Sequence, residues 1–186
     1  MLKYTVFVLL AVIPKSLFQR TMSYEAFFVS VLSSENAFPI DFSNLRVLGR
    51  ERILNGTFDI LEDIDNEHYE FYLEAYTNVA RDGNYKKFPM ALLRDAVCAV
   101  YEKYGFYLRD CVKYGINTDL YINTTTCLIP KGRYYLKNVT INVTNWPVIM
   151  SRGLCRHSFT FYKDNVAVGT YNITSSIEDR AVNFRK

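Results

Sequence analysis

The chain has 186 residues, of which 49% are hydrophobic and 16% aromatic, with 22 Lys and Arg set against 19 Asp and Glu. The cationic surplus lies entirely at the N-terminus, since residues 1–23 hold Lys3, Lys15 and Arg20 and no acid. With no Lys/Arg block longer than a dipeptide, little remains to neutralise phosphates, and a nucleic-acid binder is excluded.

Lys3 precedes a ten-residue apolar run, Tyr4 to Ile13, which Pro14 breaks before Lys15. A membrane-spanning helix needs about 20 apolar residues, so this run reads as a cleaved secretory signal and not as an anchor. Residues 1–20 are assigned to it, with cleavage between Ser16 and Ser23, and residues 21–186 to a single domain of a size that buries a substantial core.

Three short strands follow in expectation: Tyr24–Leu32, Leu45–Leu54 and Thr57–Ile64. Asn55-Gly56 between the last two is a hairpin-turn signal. From His68 to Val79 the alternation is clear, with Tyr69, Phe71, Leu73, Ala75, Thr77 and Val79 on one face and His68, Glu70, Tyr72, Glu74, Tyr76 and Asn78 on the other. The period then changes. Met90, Leu93, Ala96, Val97, Val100 and Tyr104 recur at helical spacing behind Pro89 and ahead of Gly105, which predicts one helix over residues 89–104. Cys98 falls off that apolar stripe, where it would tether the helix flank to a loop.

Pro130-Lys131-Gly132 reads as a turn that opens a strand over Arg133–Thr144, with Tyr135, Val139, Ile141 and Val143 facing in and Asn138, Thr140, Asn142 and Thr144 facing out. A final strand pair, Arg156–Lys163 and Val166–Thr174, is joined near Asp164-Asn165. Many short strands with turn residues between them predict a mainly β fold, an antiparallel sandwich or cup with one helix.

Five Asn-X-Ser/Thr sites stand at Asn55, Asn123, Asn138, Asn142 and Asn172, where random order of 14 Asn and 23 Ser or Thr would give about 1.7. With the apolar leader they point to a secreted, extracellular glycoprotein. In that compartment the four cysteines, Cys98, Cys111, Cys127 and Cys155, are most simply two disulfides, with three connectivities open. None of their spacings is that of a zinc knuckle or a redox CxxC.

Catalytic signatures are missing from the sequence. There are two histidines, His68 and His157, and no GxSxG, HExxH or Gly-rich phosphate loop, so the expectation is a non-enzymatic protein with no cofactor and no metal. The acidic run Asp59, Glu62, Asp63, Asp65 and Glu67 lacks the residue order of a calcium loop. Fifteen Tyr and 13 Phe are an unusual load for this length. They either fill the core or line an apolar cavity between splayed sheets.

The segment from Cys98 to Gly153 carries a resemblance. Val97-Cys98-Ala99-Val100-Tyr101-Glu102, Asn117-Thr118-Asp119, Cys127-Leu128-Ile129-Pro130-Lys131-Gly132-Arg133-Tyr134-Tyr135, Asn145-Trp146-Pro147 and Met150-Ser151-Arg152-Gly153 resemble insect Che proteins. These are secreted chemosensory-associated proteins related to the ganglioside-activator branch of the ML lipid-recognition superfamily. The match covers the C-terminal half, to about Asp179, and departs from the family where Leu128 follows Cys127 in place of Pro. The resemblance implies a Cys98–Cys127 disulfide, leaving Cys111 with Cys155. It also implies a cup-like sandwich around a lipid or long-chain hydrocarbon, a role in contact-pheromone or gustatory detection, and a chemosensory receptor as partner.

The expected reading is therefore a monomeric carrier whose ligand is lined by Phe71, Leu73, Val97, Tyr135, Val139 and Ile141, each on an inferred inward face. The competing reading is a solid-cored interaction glycoprotein that meets its partner through exposed Tyr72 and Tyr76.

Overall fold

The computed structural model describes residues 24–123, 125–147 and 150–180. The expected signal segment and both of its cleavage positions lie outside them. Among the described residues no helix is long and apolar enough to cross a membrane.

In chain order the described elements are β1 (Tyr24–Ser33), β2 (Ile40–Asp41), β3 (Leu45–Leu48), β4 (Ile53–Ile60), β5 (Tyr69–Asn78), β6 (Lys86–Ala96), α1 (Val97–Tyr104), α2 (Phe106–Arg109), β7 (Gly132–Val139), β8 (Gly153–Lys163) and β9 (Val166–Asp179). One sheet has the order β1-β9-β8-β5-β6. In the other, β4 is central, with β2 and β3 in succession along one edge and β7 along the other. Every pairing is antiparallel. The mainly β architecture expected from the alternating patterns is what forms.

β5 is the long strand that its period of two predicts, paired along its whole length with β8. The β8–β9 hairpin closes at Asp164-Asn165, and both residues have positive φ, 49° and 70°. That is the turn geometry whose twist suits a two-residue hairpin, and Asp and Asn tolerate it best among residues with a Cβ.

Several sequence expectations are corrected. Asn55-Gly56 is not a turn: it lies inside β4, and the β3–β4 reversal comes earlier, at residues 49–52. Gly56 is there because a Cβ at that position would stand 2.2 Å from the Asn44 carbonyl oxygen, and its φ is 134°. Glycine here permits a close backbone approach. The predicted helix over 89–104 is a helix only from Val97; residues 86–96 form edge strand β6, which pairs β5 with two register shifts. Leu93, on the supposed buried stripe, is 83% exposed. Backbone pairing to β5 outweighs helical periodicity, and an edge strand accommodates Pro89 because one side of its backbone needs no partner.

The strand expected to run to Thr144 ends at Val139. Its facing also reverses at Asn138, whose φ is 53°. Lys137 and Asn138 together oppose the single residue Asn55, a bulge in the β4–β7 ladder. Downstream of it Val139 and Val143 are buried as expected; upstream, Tyr134 and Leu136 turn inward and Tyr135 outward.

Cys98 and Cys127 are bonded, their Cα atoms 5.7 Å apart, which ties α1 to the loop ahead of β7. Cys111 and Cys155 are not paired with each other; both are free and buried. Cys111 belongs to the main apolar cluster, with Phe28, Leu45, Leu54, Phe58, Ile60, Ile64, Tyr69, Val139, Phe161 and Tyr171. Cys155 belongs to a second one, with Tyr24, Ala26, Val143, Met150 and Ile177. Tyr171 fastens the two sheets together: its hydroxyl donates to the Ile40 carbonyl at 2.8 Å and accepts the Ile40 N–H at 2.9 Å.

Candidate ligand cleft

Rings from both sheets meet at the centre of the main cluster. Phe71 stacks on Phe159 at 5.6 Å, Phe159 on Tyr171 at 5.3 Å, and Tyr171 meets Phe42 edge-on at 5.2 Å, which in turn meets Phe58 at 5.9 Å. Such offset and edge contacts fill space well. Burial there pushes the Tyr171 phenol up to about 12.

Open volume lies where the two apolar clusters adjoin. A cleft of about 570 Å³ is lined by Glu25, Ala26 and Phe27 of β1, Glu51 and Arg52 of the β3–β4 turn, residues 140–144 beyond β7, and Arg180. Ala26 and Val143 are buried members of the second cluster, and Ile141 packs against both clusters. Together with Phe27 they give the cleft an apolar lining, while Glu25, Glu51, Arg52, Arg180, Asn142 and the two threonines supply polar groups. The lining is therefore amphipathic: four apolar residues form one wall, and seven polar ones, four of them charged, surround it.

The sequence-derived lining divides. Ile141 reaches the cleft. Val139 is 1% exposed in the main cluster, and Phe71 and Val97 pack against that cluster, so these three contribute to a filled interior. Leu73, half-buried on β5, faces Phe159 across the β8 pairing. Tyr135 is 37% exposed on the outer side of β7, because the Asn138 bulge inverts the alternation on which its inward assignment rested. Ala26, Phe27 and Val143 were missed as lining; Val143 was already assigned inward, whereas nothing local in β1 distinguishes a cleft wall from core.

The sequons also separate by position. Asn138 and Asn142 are exposed, and Asn142 lines the cleft, its carboxamide oxygen accepting the Thr144 N–H at 2.9 Å. Asn55 is half-buried in the middle of β4, with its carboxamide oxygen taking the Gly56 N–H at 3.1 Å. Asn123, half-buried, accepts the Thr125 N–H at 2.9 Å four residues before Cys127. Asn172 faces outward from β9, opposite in sense to the buried Tyr171.

Remaining reactive groups are tied up or neutral. Cys155 Sγ lies 3.7 Å from His157 Nε2, yet burial pushes the thiol up to about 11 and the imidazole below its ordinary value. Neither partner is charged near neutrality, whereas thiol nucleophiles need an electropositive, accessible setting. Cys111 is likewise raised by burial, and its sulfur accepts the Asn142 N–H at 3.2 Å.

The acidic run is spent on basic partners and on backbone N–H groups. Asp59 pairs with Arg133, and Glu62 accepts from Lys163 and Tyr69. Asp65 pairs with His68 at 2.8 Å and raises that imidazole. Glu62, Asp65, His68, Tyr69 and Lys163 border a second, polar cleft of about 390 Å³ with Asp63 and Lys131. Among the described residues no group of three or more His, Cys, Asp or Glu is placed to hold a metal ion.

No protein-family model and no curated protein sequence matches this chain.

Proposed function

We propose that this chain is a secreted, non-enzymatic binder of a hydrophobic molecule, a lipid or long-chain hydrocarbon, acting in chemosensory perception as the resemblance to Che proteins implies. The observation that carries the reading is the cleft at the seam of the two apolar clusters, with Ala26, Phe27, Ile141 and Val143 forming its apolar wall. The alkyl portion of the ligand lies against that wall. Its polar end meets Arg52, Arg180, Glu25 or Glu51 at the mouth. Burying alkyl carbon is favourable by about 0.8 kcal/mol per methylene, so even a partly enclosed chain is held by several kcal/mol.

A solid-cored interaction glycoprotein is the second reading, favoured by the ring-filled centre of the main cluster. One experiment separates the two. The protein is secreted from insect cells and weighed by native mass spectrometry, while an organic extract of the same preparation is analysed for lipids. A stoichiometric co-purifying lipid or hydrocarbon, reduced in the Ala26→Trp variant, is the expected result. A bare mass that does not change after exposure to cuticular extract sinks the carrier reading in favour of the interaction glycoprotein.

A further inference from the structure

The outer face of the five-stranded sheet has a relief that the cleft does not use. On β5, Tyr72, Glu74 and Tyr76 point outward in alternation, and the Glu74 carboxylate accepts both phenol hydroxyls, each at 2.7 Å. Hydroxyls that converge on a residue midway between the two rings draw those rings down along the strand. Lys87 Nζ donates to the same carboxylate at 2.5 Å, and Arg156 lies over the rings of Tyr85 and Tyr76, at 4.1 Å and 5.2 Å. Next along the face, Glu70 pairs with Arg94, which covers Tyr162 at 4.1 Å. Both acids are paired with cations and the further cation, Arg156, lies over tyrosine rings, so this face has little charge with which to attract an acidic or basic polymer.

Strand register puts a sequon beside this row. Glu74 stands opposite Ser158 on β8, Ser158 opposite Asn172 on β9, and Asn172 opposite Leu32 on edge strand β1. Leu32 is 60% exposed. Around Asn172 the outward positions are small and hydroxylated, Ser158, Thr160 and Thr170, with the Thr160 and Thr170 hydroxyls 3.0 Å apart, whereas toward Tyr76 the floor is closed by Arg156 and the buried Thr174. Asn172 thus sits in a shallow trough between Leu32 and the tyrosine row, two strands or about 10 Å from Glu74.

We propose that Asn172 carries a glycan whose first sugars lie back in this trough and stack on Tyr72, the ring that Arg156 does not cover. A pyranose presents a face of C–H bonds that packs against the negative face of an aromatic ring, while its hydroxyls pair with a hydroxyl-lined floor. The occupant is supplied by the chain itself, since the attachment point is on the same sheet row. This inference rests on the secretion reading, because only a chain in the secretory pathway is glycosylated at such sites. Its consequence is that the outer face of β5 and β8 is covered by the protein's own sugar, not offered to a protein partner.

The test uses full-length protein secreted from insect cells, site-resolved glycopeptide mass spectrometry and a time course of endoglycosidase release under native conditions. Asn172 is expected to be occupied and to release its glycan roughly threefold to tenfold more slowly than exposed Asn138 and Asn142, the range that corresponds to an aromatic stacking contact. In the Tyr72→Ala variant the Asn172 rate rises to that of the other sites. A second comparison leaves the tyrosine in place: Asn172→Gln speeds amide hydrogen exchange across residues 72–76 by a similar factor. A bare Asn172 beside occupied Asn138 and Asn142 overturns the proposal. So does equal release from all sites in the wild-type protein, or slow release that survives loss of Tyr72. Protein that stays inside the cell with its leader uncleaved and no glycan on any of the five sites refutes the secretion reading itself, whereas secreted protein with a bare Asn172 refutes only the glycan.

Discussion

At the scale of single residues, the decisive positions are those where a backbone or a charge tolerates only one solution. Gly56 is such a position, since any Cβ collides with the Asn44 carbonyl and L side chains rarely adopt its φ. Gly56→Ala is expected to cost about 2 to 3 kcal/mol, read as a lower denaturant midpoint with an unchanged m-value. Glu74 is another. Hydrogen bonds from Lys87, Tyr76 and Tyr72 pull its carboxyl down to about 2 from an ordinary 4.5. A depressed folded-state value means that Glu74 contributes stability above pH 4.5 and loses that contribution as pH falls from 4.5 toward 2. Thermal melting of Glu74→Gln against wild type across this window should therefore show the two curves converging as the solution is acidified. Curves that stay parallel would show that the three donors do not hold the carboxylate. Neither residue's role was legible locally: Asn55-Gly56 has the composition of a turn, and the donors to Glu74 include one from another strand.

At the scale of elements, periodicity was informative where a strand is regular and misleading where it bends. β5 and the β8–β9 hairpin follow from alternation and from Asp164-Asn165, because the β5–β8 ladder is unbroken and the β8–β9 ladder shifts register only near its turn, between Phe161 and Tyr162. β7 follows the alternation only beyond Asn138. One residue in the left-handed region adds a bulge, and with a side-chain period of two the bulge exchanges inside for outside. Tyr135 is the residue misplaced by it. The β6–α1 boundary failed for a different reason, since residues 86–96 satisfy helical spacing but meet an unpaired strand edge that their own sequence does not describe. The Cys98–Cys127 bond, which the family resemblance implied, joins α1 to the loop before β7 across 29 residues. Replacing both cysteines by Ala should cost about 3 to 4 kcal/mol in the chain-entropy account. Replacing Cys111 by Ala breaks no covalent link, and its cost is that of a small apolar group and its weak sulfur hydrogen bonds to Tyr107 and Asn142. Chemical denaturation of the two variants side by side distinguishes a structural bridge from a free buried thiol.

At the scale of the whole molecule, function depends on how two sheets that are individually ordinary meet. Main-cluster rings close the centre, and the seam with the second cluster leaves a cleft that contains Ile141 alone of the six residues proposed from inward-facing patterns. Filling that cleft from β1 is the most direct perturbation: Ala26→Trp should abolish uptake of a fluorescent fatty acid, while Phe71→Trp, in the packed centre, should lower the melting temperature. Equal effects of the two changes on uptake would place the ligand in the centre instead. By itself the sequence determined the β class, the identity of β5, β8 and β9, and the outward facing of Asn142 and Asn172. Those properties are set by residue type and local spacing. Only the tertiary structure decided the fate of Cys111 and Cys155, the reversal at Asn138, the filled centre and the position of the cleft. Each of these depends on which segments, distant in sequence, are brought against one another, and a periodic pattern records that a side chain is buried without recording what buries it.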